Sequence, residues 1–207
     1  MPLVEIELEA GARVEATPLP AAARELLAAA RSRIAAYYER GGGGELPGFV
    51  PSDYEAVHAA LAALRAVRGE AGRFCEWGSG FGVVAGLAAQ LGYDAHGIEI
   101  DAELVGASRE LLRAHGLDVE IAHGTFVPPE FVDADRWIDL ESPTVAHGDD
   151  AYAELGLDLD DFGVVFAYPW PGEEELFHRM FDRFGDAGAV LLLWTRSDGV
   201  RAFRRGR

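Results

Sequence analysis

The chain contains no lysine, no asparagine and a single cysteine, Cys75. All 18 of its basic residues are therefore arginine. They face 35 acidic ones, for a net charge of −17. Such an acidic balance argues against DNA or RNA as the main partner, because phosphate backbones are gripped by Lys and Arg. It keeps a protein soluble and favours basic partners. A GC-rich genome accounts for the missing residue types, with salt adaptation as the sharper alternative. One cysteine excludes an internal disulfide framework and makes a reducing cytoplasm the expected location. Long apolar runs are also missing. None approaches the roughly 20 residues that span a bilayer, and Met1-Pro2-Leu3-Val4-Glu5 lacks the basic and apolar regions of a signal peptide. No membrane association is expected.

What remains is a globular composition, 49% hydrophobic and 26% charged over 207 residues, enough for one domain with a full core. We expect a single domain over 1–207, with a ligand-binding core at 51–196 and an N-terminal appendage at 1–50. In residues 3–17, Val4, Ile6 and Leu8 alternate with Glu5, Glu7 and Glu9. That period of two predicts a strand with one wet face, and Gly11-Ala12 can turn it into a hairpin ending near Val14. Residues 20–40, rich in Ala, Leu, Arg and Glu, predict a helix that ends in the run Gly41–Gly44. Ser52 or Asp53 caps the next helix, which carries Val57, Leu61, Leu64 and Val67 at helical spacing.

From Arg73 onward strands and helices alternate. Strands are predicted at Arg73–Trp77, Ala95–Ile100, Val119–Ala122, Val164–Ala167 and Ala189–Trp194. The last two are continuously apolar, as buried parallel strands are. Helices are expected at about Gly82–Leu91, at Ala102–His115, and between the last two strands with Phe177, Met180 and Phe181 inward. This pattern defines an α/β fold, a doubly wound, mostly parallel sheet with right-handed crossovers. Residues 127–161, rich in Pro and Asp, read as irregular, and a segment that long is often functional. The Arg201, Arg204, Arg205 and Arg207 cluster reads as a solvated end.

The chemistry concentrates at Phe74-Cys75-Glu76-Trp77-Gly78-Ser79-Gly80-Phe81-Gly82, followed by Gly97-Ile98-Glu99-Ile100-Asp101. Ligands of such sheets sit beyond the carboxyl ends of the strands, at the switch point. Glycines let the backbone turn sharply and approach a ligand. Glu99, 21 residues after Gly78, stands where a carboxylate accepts from ribose hydroxyls. The nicotinamide fingerprint also opens with G-x-G, but it needs a third glycine where this chain has Val83. Glu76 beside the turn would repel a pyrophosphate and attract an amino or sulfonium group.

The Glu-x-Gly-x-Gly-x-Gly turn with Gly-Ile-Glu-Ile-Asp resembles motif I and the following acidic loop of class I S-adenosylmethionine-dependent methyltransferases, with a Rossmann-like core over about residues 50–195. The resemblance implies S-adenosylmethionine as cofactor. Glu76 would hold its methionine amino group, directly or through water. Gly78, Ser79, Gly80 and Gly82 would line methionine and ribose, Glu99 the ribose hydroxyls, and Ile100 the adenine. At His123-Gly124-Thr125-Phe126 the usual acidic residue near the adenine amine is missing, so Gly124 and Thr125 are expected to serve. Gly48-Phe49-Val50-Pro51-Ser52-Asp53-Tyr54 is similar to a stretch in small protein-lysine methyltransferases, which implies a cofactor contact from Ser52 or Tyr54.

Tyr168-Pro169-Trp170-Pro171 ends the fourth core strand, where amino-methylating members carry Asp/Asn-Pro-Pro-Tyr. Tyr168 and Trp170 are the candidate catalytic residues, as an aromatic wall or a seat for a cationic acceptor. His123 is weighed as a base and as a hydrogen-bonding residue. His147 with Asp149 and Asp150 is a weak metal pattern, and no metal site is expected. Cys75 reads as a buried, inert thiol. The resemblance implies methyl transfer to an unidentified acceptor, a small molecule or protein, with an amine such as a protein lysine in view. The alternatives are a non-catalytic cofactor-binding or assembly protein and a nicotinamide-dependent oxidoreductase. Such enzymes usually finish with an antiparallel hairpin, yet only 13 residues follow Trp194. With that shortened C-terminus, the N-terminal hairpin is expected to complete the sheet edge or to join two subunits.

Overall fold

The computed structural model describes residues 3–8, 18–40, 49–134, 144 and 148–206. The second strand of the N-terminal hairpin, Gly41–Gly44 and His147 lie outside them. Seven strands form one sheet in the order β1-β7-β6-β5-β2-β3-β4. The parallel core consists of β2 (Arg73–Trp77), β3 (Asp94–Glu99), β4 (Glu120–His123), β5 (Val164–Ala167) and β6 (Val190–Thr195). The sequence-predicted strands fall within a residue or so of these. β6 turns back into β7 (Gly199–Arg205), which pairs antiparallel with it.

Alternation decides the two faces. Along β2, Phe74 joins a core cluster formed with the helices α1 (Ala21–Arg40), α2 (Tyr54–Arg68), α3 (Val83–Gln90) and α4 (Ala102–Ala114). Cys75 and Trp77 point to the opposite cluster. That side holds α5 (Pro129–Ala134), α6 (Ala151–Leu155) and α7 (Glu174–Phe184), which contribute Phe131, Tyr152, Phe177, Met180 and Phe181. Helix starts follow side-chain chemistry. Asp53 accepts from the Ala56 N–H at 3.0 Å, and Asp101 accepts from those of Glu103 and Leu104, each satisfying backbone donors that the first turn leaves open.

The described part of the N-terminal 50 residues packs closely on the core. Leu26, Leu27, Ala30, Ile34 and Tyr37 of α1 are buried in the main core with Leu87 and Leu112, and β1 (Leu3–Ile6) is part of the sheet. Hydrophobic packing thus takes in described residues on both sides of 51–196. β1 pairs antiparallel with β7, Leu3 opposite Arg205 and Ile6 opposite Ala202. It forms the edge strand of the sheet beside β7.

Two of the C-terminal arginines, Arg201 and Arg205, are tied down. Arg201 donates two bonds to the Glu5 carboxylate at 2.9 and 2.8 Å. Arg205 donates to the carbonyls of Asp182 and Gly185 at the C-terminal end of α7, where a helix end welcomes a cation. Residues 127–161 also carry more order than expected, with α5, α6 and a 3₁₀ turn at Leu159–Asp161. Among the described residues, no helix is long and apolar enough to cross a membrane.

Candidate functional site

The chain passes from β2 outward through β3 and β4, then crosses back to β5 on the other side of β2. The crevice beyond the carboxyl ends of β2 and β5 is the switch point where α/β sheets hold ligands. A cavity of about 440 Å³ opens there, within the size range of small-molecule sites. Its wall runs from Glu99, Ile100, Gly124 and Thr125 past Trp77, Gly78, Phe126 and Phe177. It reaches Tyr168, Pro169, Trp170 and Arg196 at the far end.

Glu99 is the best-built group in this wall. It is 6% exposed, and its oxygens accept from the N–H groups of Gly80 at 2.7 Å and Asp101 at 2.9 Å. Burial pushes its pKa up, opposed by these backbone N–H groups. A carboxylate has about four acceptor positions, so Glu99 keeps capacity towards the cavity. Ile100 lies beside it in the wall.

The glycine turn divides into wall and support. Gly78 (φ +67) lines the cavity. Gly80 lies beneath Phe49, and a Cβ there would stand 2.7 Å from Phe49 Cδ2. Gly82, with φ +66, packs on Ser108 and Leu112 as the N-cap of α3. Ser79 is buried below the turn against Gly97, and its hydroxyl has no hydrogen-bond partner. Of Gly78, Ser79, Gly80 and Gly82, Gly78 is in the cavity wall, and the other three shape the turn from below.

Glu76 also lies away from the cavity wall. Gly82 offers α3 no side-chain cap, and the Glu76 carboxylate takes that role, accepting from the Ala85 N–H at 2.8 Å. Burial drives its pKa well above the usual carboxylate range.

On the other flank, the Gly124 N–H donates to the Glu99 carbonyl at 3.0 Å, and the Thr125 N–H to the Asp149 carbonyl at 3.0 Å. A Cβ on Gly124 would overlap the Asp149 carbonyl oxygen. Only glycine lets the segment leading into α6 lie this close to the end of β4. Phe49 and Val50, rather than Ser52 or Tyr54, carry the upstream stretch into the wall. Tyr54 is buried in the core instead, and its hydroxyl pKa is pushed up by burial. Phe49 is held by the Tyr38 hydroxyl, which donates to its carbonyl at 3.1 Å, and by edge contacts with Tyr37 and Phe81.

The far end is aromatic and carries charge. Tyr168 and Trp170 both line it, as does the buried Pro169 between them. Tyr168 meets the Trp194 ring edge-on at 4.5 Å. Trp77 stacks on Phe126 at 5.3 Å and leans on Phe177, forming the floor. Thr144 joins the wall, its N–H and hydroxyl donating to the Glu173 carboxylate at 3.2 and 2.6 Å. Thr195, Arg196 and Ser197 reach the cavity from the β6–β7 turn, and Glu174 from the start of α7.

Arg196, absent from the sequence reading, donates its Nε–H to the Tyr168 hydroxyl at 3.1 Å. Phe49 was missed as well. The glycine turn signals neither residue, since each reaches the cavity from a distant part of the chain.

The remaining candidates fall elsewhere. His123 has Nε2 3.0 Å from the Ile100 carbonyl, and its backbone N–H donates to Glu154. It holds β3 to β4 and is outside the cavity wall. Asp150 caps α6 by accepting from the Tyr152 and Ala153 N–H groups. Cys75 is fully buried with its pKa raised by burial. Asp158, Asp160 and Asp161 lie close together at the surface, where Asp161 serves Arg73 and the Asp158 N–H.

No protein-family model matches the sequence, and no curated protein does. Solved structures do match. A methyltransferase from Geobacter sulfurreducens is 15% identical and superimposes over 97% of this chain and 98% of its own, with a TM-score of 0.54. An O-methyltransferase from Bacillus cereus, solved in complex with SAH, is 15% identical over 86% of this chain and 67% of its own, with a TM-score of 0.52. An RNA methyltransferase from Salinibacter ruber, in complex with S-adenosyl-L-homocysteine, is 19% identical over 75% and 92%, with a TM-score of 0.50. The protein thus has the Rossmann-like α/β fold of class I methyltransferases. At these identities the likeness speaks for the fold, and the argument for activity rests on the site.

Proposed function

We propose that this protein is an S-adenosylmethionine-dependent methyltransferase. One observation carries the reading. A buried carboxylate, Glu99, is fixed by two backbone N–H groups at the end of β3 and faces a cavity that continues to an aromatic, charged far end. The donor set fits the cofactor. Glu99 offers acceptors for ribose hydroxyls. Ile100 and the close-packed Gly124–Thr125 segment would flank the adenine, and Gly78, with nothing near its Cβ position, leaves backbone room for the methionine. Glu76 supports that end by holding the first turn of α3.

The cofactor supplies an electrophilic methyl group. Gly78, Glu99 and Ile100 would hold that cofactor, and it would give its methyl group to an acceptor lone pair while the bonding pair stays with sulfur. The protein has to align the acceptor and keep water out. Tyr168, Trp170, Phe126 and Phe177 do both by walling the far end. A second reading, a non-catalytic cofactor binder, is favoured by the apolar end of β5, where the buried Ala167 stands in place of an acid or amide. The amine acceptor suggested by composition has Glu174 in its favour and Arg196 against it. The single buried Cys75 suits a reducing cytoplasm.

The test is calorimetry with S-adenosylmethionine, S-adenosylhomocysteine and NAD, followed by a radiolabelled methyl assay on cell lysate. Binding of the first two and transfer of label are expected. Binding of NAD alone would refute the reading, and cofactor binding without transfer would favour the second. Hydrogen bonds to a charged group contribute about 1.5–3 kcal/mol, so Glu99→Gln should weaken S-adenosylhomocysteine roughly tenfold or more. Unchanged affinity would remove the ribose from Glu99.

A further inference from the structure

The far end of the cavity holds a cation that the methyl-donor site does not use. Arg196 sits in the turn between β6 and β7, and its guanidinium is anchored through Nε to the Tyr168 hydroxyl at 3.1 Å. Neither Nη atom has a protein partner among the described residues. Glu174 lines the same wall, yet no salt bridge within 4.0 Å joins it to Arg196. The charge is therefore held in place by one nitrogen and left open on its outer edge.

Around it the wall is aromatic and flat-sided. Tyr168, Trp170, Phe126 and Phe177 supply ring surfaces, and two prolines, Pro169 and Pro171, fix the loop that carries Trp170. The Tyr168 oxygen accepts from Arg196, so its own O–H is directed away from that bond and is free to donate. The chemistry presented is a two-nitrogen guanidinium edge, a phenol donor and ring surfaces. A guanidinium fork matches a carboxylate in two parallel hydrogen bonds, and aromatic walls match a planar ring.

We propose that Arg196 is the specificity-determining residue of the acceptor end and that the methyl acceptor is a small aromatic molecule bearing a carboxylate. This rests on the methyltransferase reading of the same cavity for the meaning of the word acceptor, but not for the anion preference itself. The carboxylate lies on the Nη edge of Arg196, the Tyr168 hydroxyl donates to it or to a ring substituent, and the ring lies against Trp170. The anchoring bond makes Tyr168 a positioning residue for the guanidinium as well as part of the wall.

The test compares benzoate with its neutral, similarly shaped amide, benzamide, by tryptophan fluorescence or calorimetry, with and without S-adenosylhomocysteine. Benzoate should bind the wild type at least about tenfold tighter than benzamide, a difference in keeping with a charge-assisted pair. Arg196→Met should abolish that preference. Arg196→Lys should keep part of it, since the charge stays and the fork is lost. Arg196 lies in an exposed turn, and circular dichroism of each variant checks that the fold is kept. Equal binding of the two probes, binding of neither, or a preference that survives Arg196→Met overturns the proposal. Failure of S-adenosylhomocysteine to bind the wild type overturns the methyltransferase reading instead, while the benzoate preference is still read in the cofactor-free protein.

Discussion

Adding one methyl group at Gly124 should break that flank of the cavity without touching a polar side chain. In Gly124→Ala the new Cβ overlaps the Asp149 carbonyl oxygen and stands 3.1 Å from the Asp149 carbonyl carbon and the Ala151 nitrogen. These are backbone atoms, so no rotamer change relieves the clash. The segment leading into α6 has to move, and with it goes the Thr125 N–H bond to Asp149, 3.0 Å in the native fold. Overpacking of this kind costs about 1–3 kcal/mol, and a lost backbone hydrogen bond adds about 0.5–1.5 kcal/mol. The expected loss is about 2–4 kcal/mol, or roughly 5–15 °C in melting temperature for a chain of this size. Urea denaturation measures the first and a thermal scan the second. S-adenosylhomocysteine affinity should fall more than about tenfold in the variant that remains folded. Gly72→Ala is the control, since a Cβ there meets nothing within 4 Å, and it should stay within about 0.5 kcal/mol of wild type. A Gly124→Ala protein as stable as the Gly72→Ala control, binding S-adenosylhomocysteine normally, would show that β4 and the α6 segment are not packed as described.

Two further outcomes are expected. Burial raises the Glu76 carboxyl well above its ordinary value of 4.5, so the folded state holds that proton more tightly than the unfolded chain does. Its contribution is fully present below pH of about 4.5 and is lost as pH rises towards the folded value, at up to about 1.4 kcal/mol per pH unit. Glu76→Gln does not titrate and should gain on wild type as pH rises from about 4.5; urea curves at several pH values giving a constant difference would contradict this. Deleting residues 1–8 removes β1 and bares the edge of β7. The melting temperature should fall by more than about 4 °C, with concentration-dependent scattering from the open edge, and an unchanged melt would show that β1 contributes nothing to the sheet.

Much of this architecture was readable from local pattern. The strands Arg73–Trp77 and Val164–Ala167 were identified residue for residue, because a buried parallel strand needs a short apolar run and a neighbouring turn signal, both local. The turn from Trp77 to Gly82 and the carboxylate at Glu99 were legible for the same reason. The assignments that shifted depend on what a residue meets across the fold. The place of Glu76 beside the glycines is visible in the sequence. Its role in capping α3 follows from Gly82 lacking a side chain to do so. The α1 stripe of Leu26, Leu27, Ala30 and Ile34 has helical spacing, but its burial with Leu87 and Leu112 brings together residues 53 or more positions apart.

The N-terminal strand shows most clearly how local and global information divide. Its period of two said that one face is wet and the other dry, and that was sufficient to predict a strand. Where it pairs is a property of the far end of the chain. β6 returns through Thr195–Gly199 as a single strand, β7, and leaves one open edge. The alternation of β1 and the glutamate at Glu5 suit that edge, since Arg201 projects from β7 to meet it with two hydrogen bonds. The same return brings Arg196 over the carboxyl end of β5, 28 residues from Tyr168. Sheet closure and the Tyr168–Arg196 end of the cavity thus depend on one hairpin. A change that loosens the pairing of β7 should be felt at Arg196 before it is felt at Glu99, because Glu99 is held by the β2 and β3 turns on the other side of the switch point.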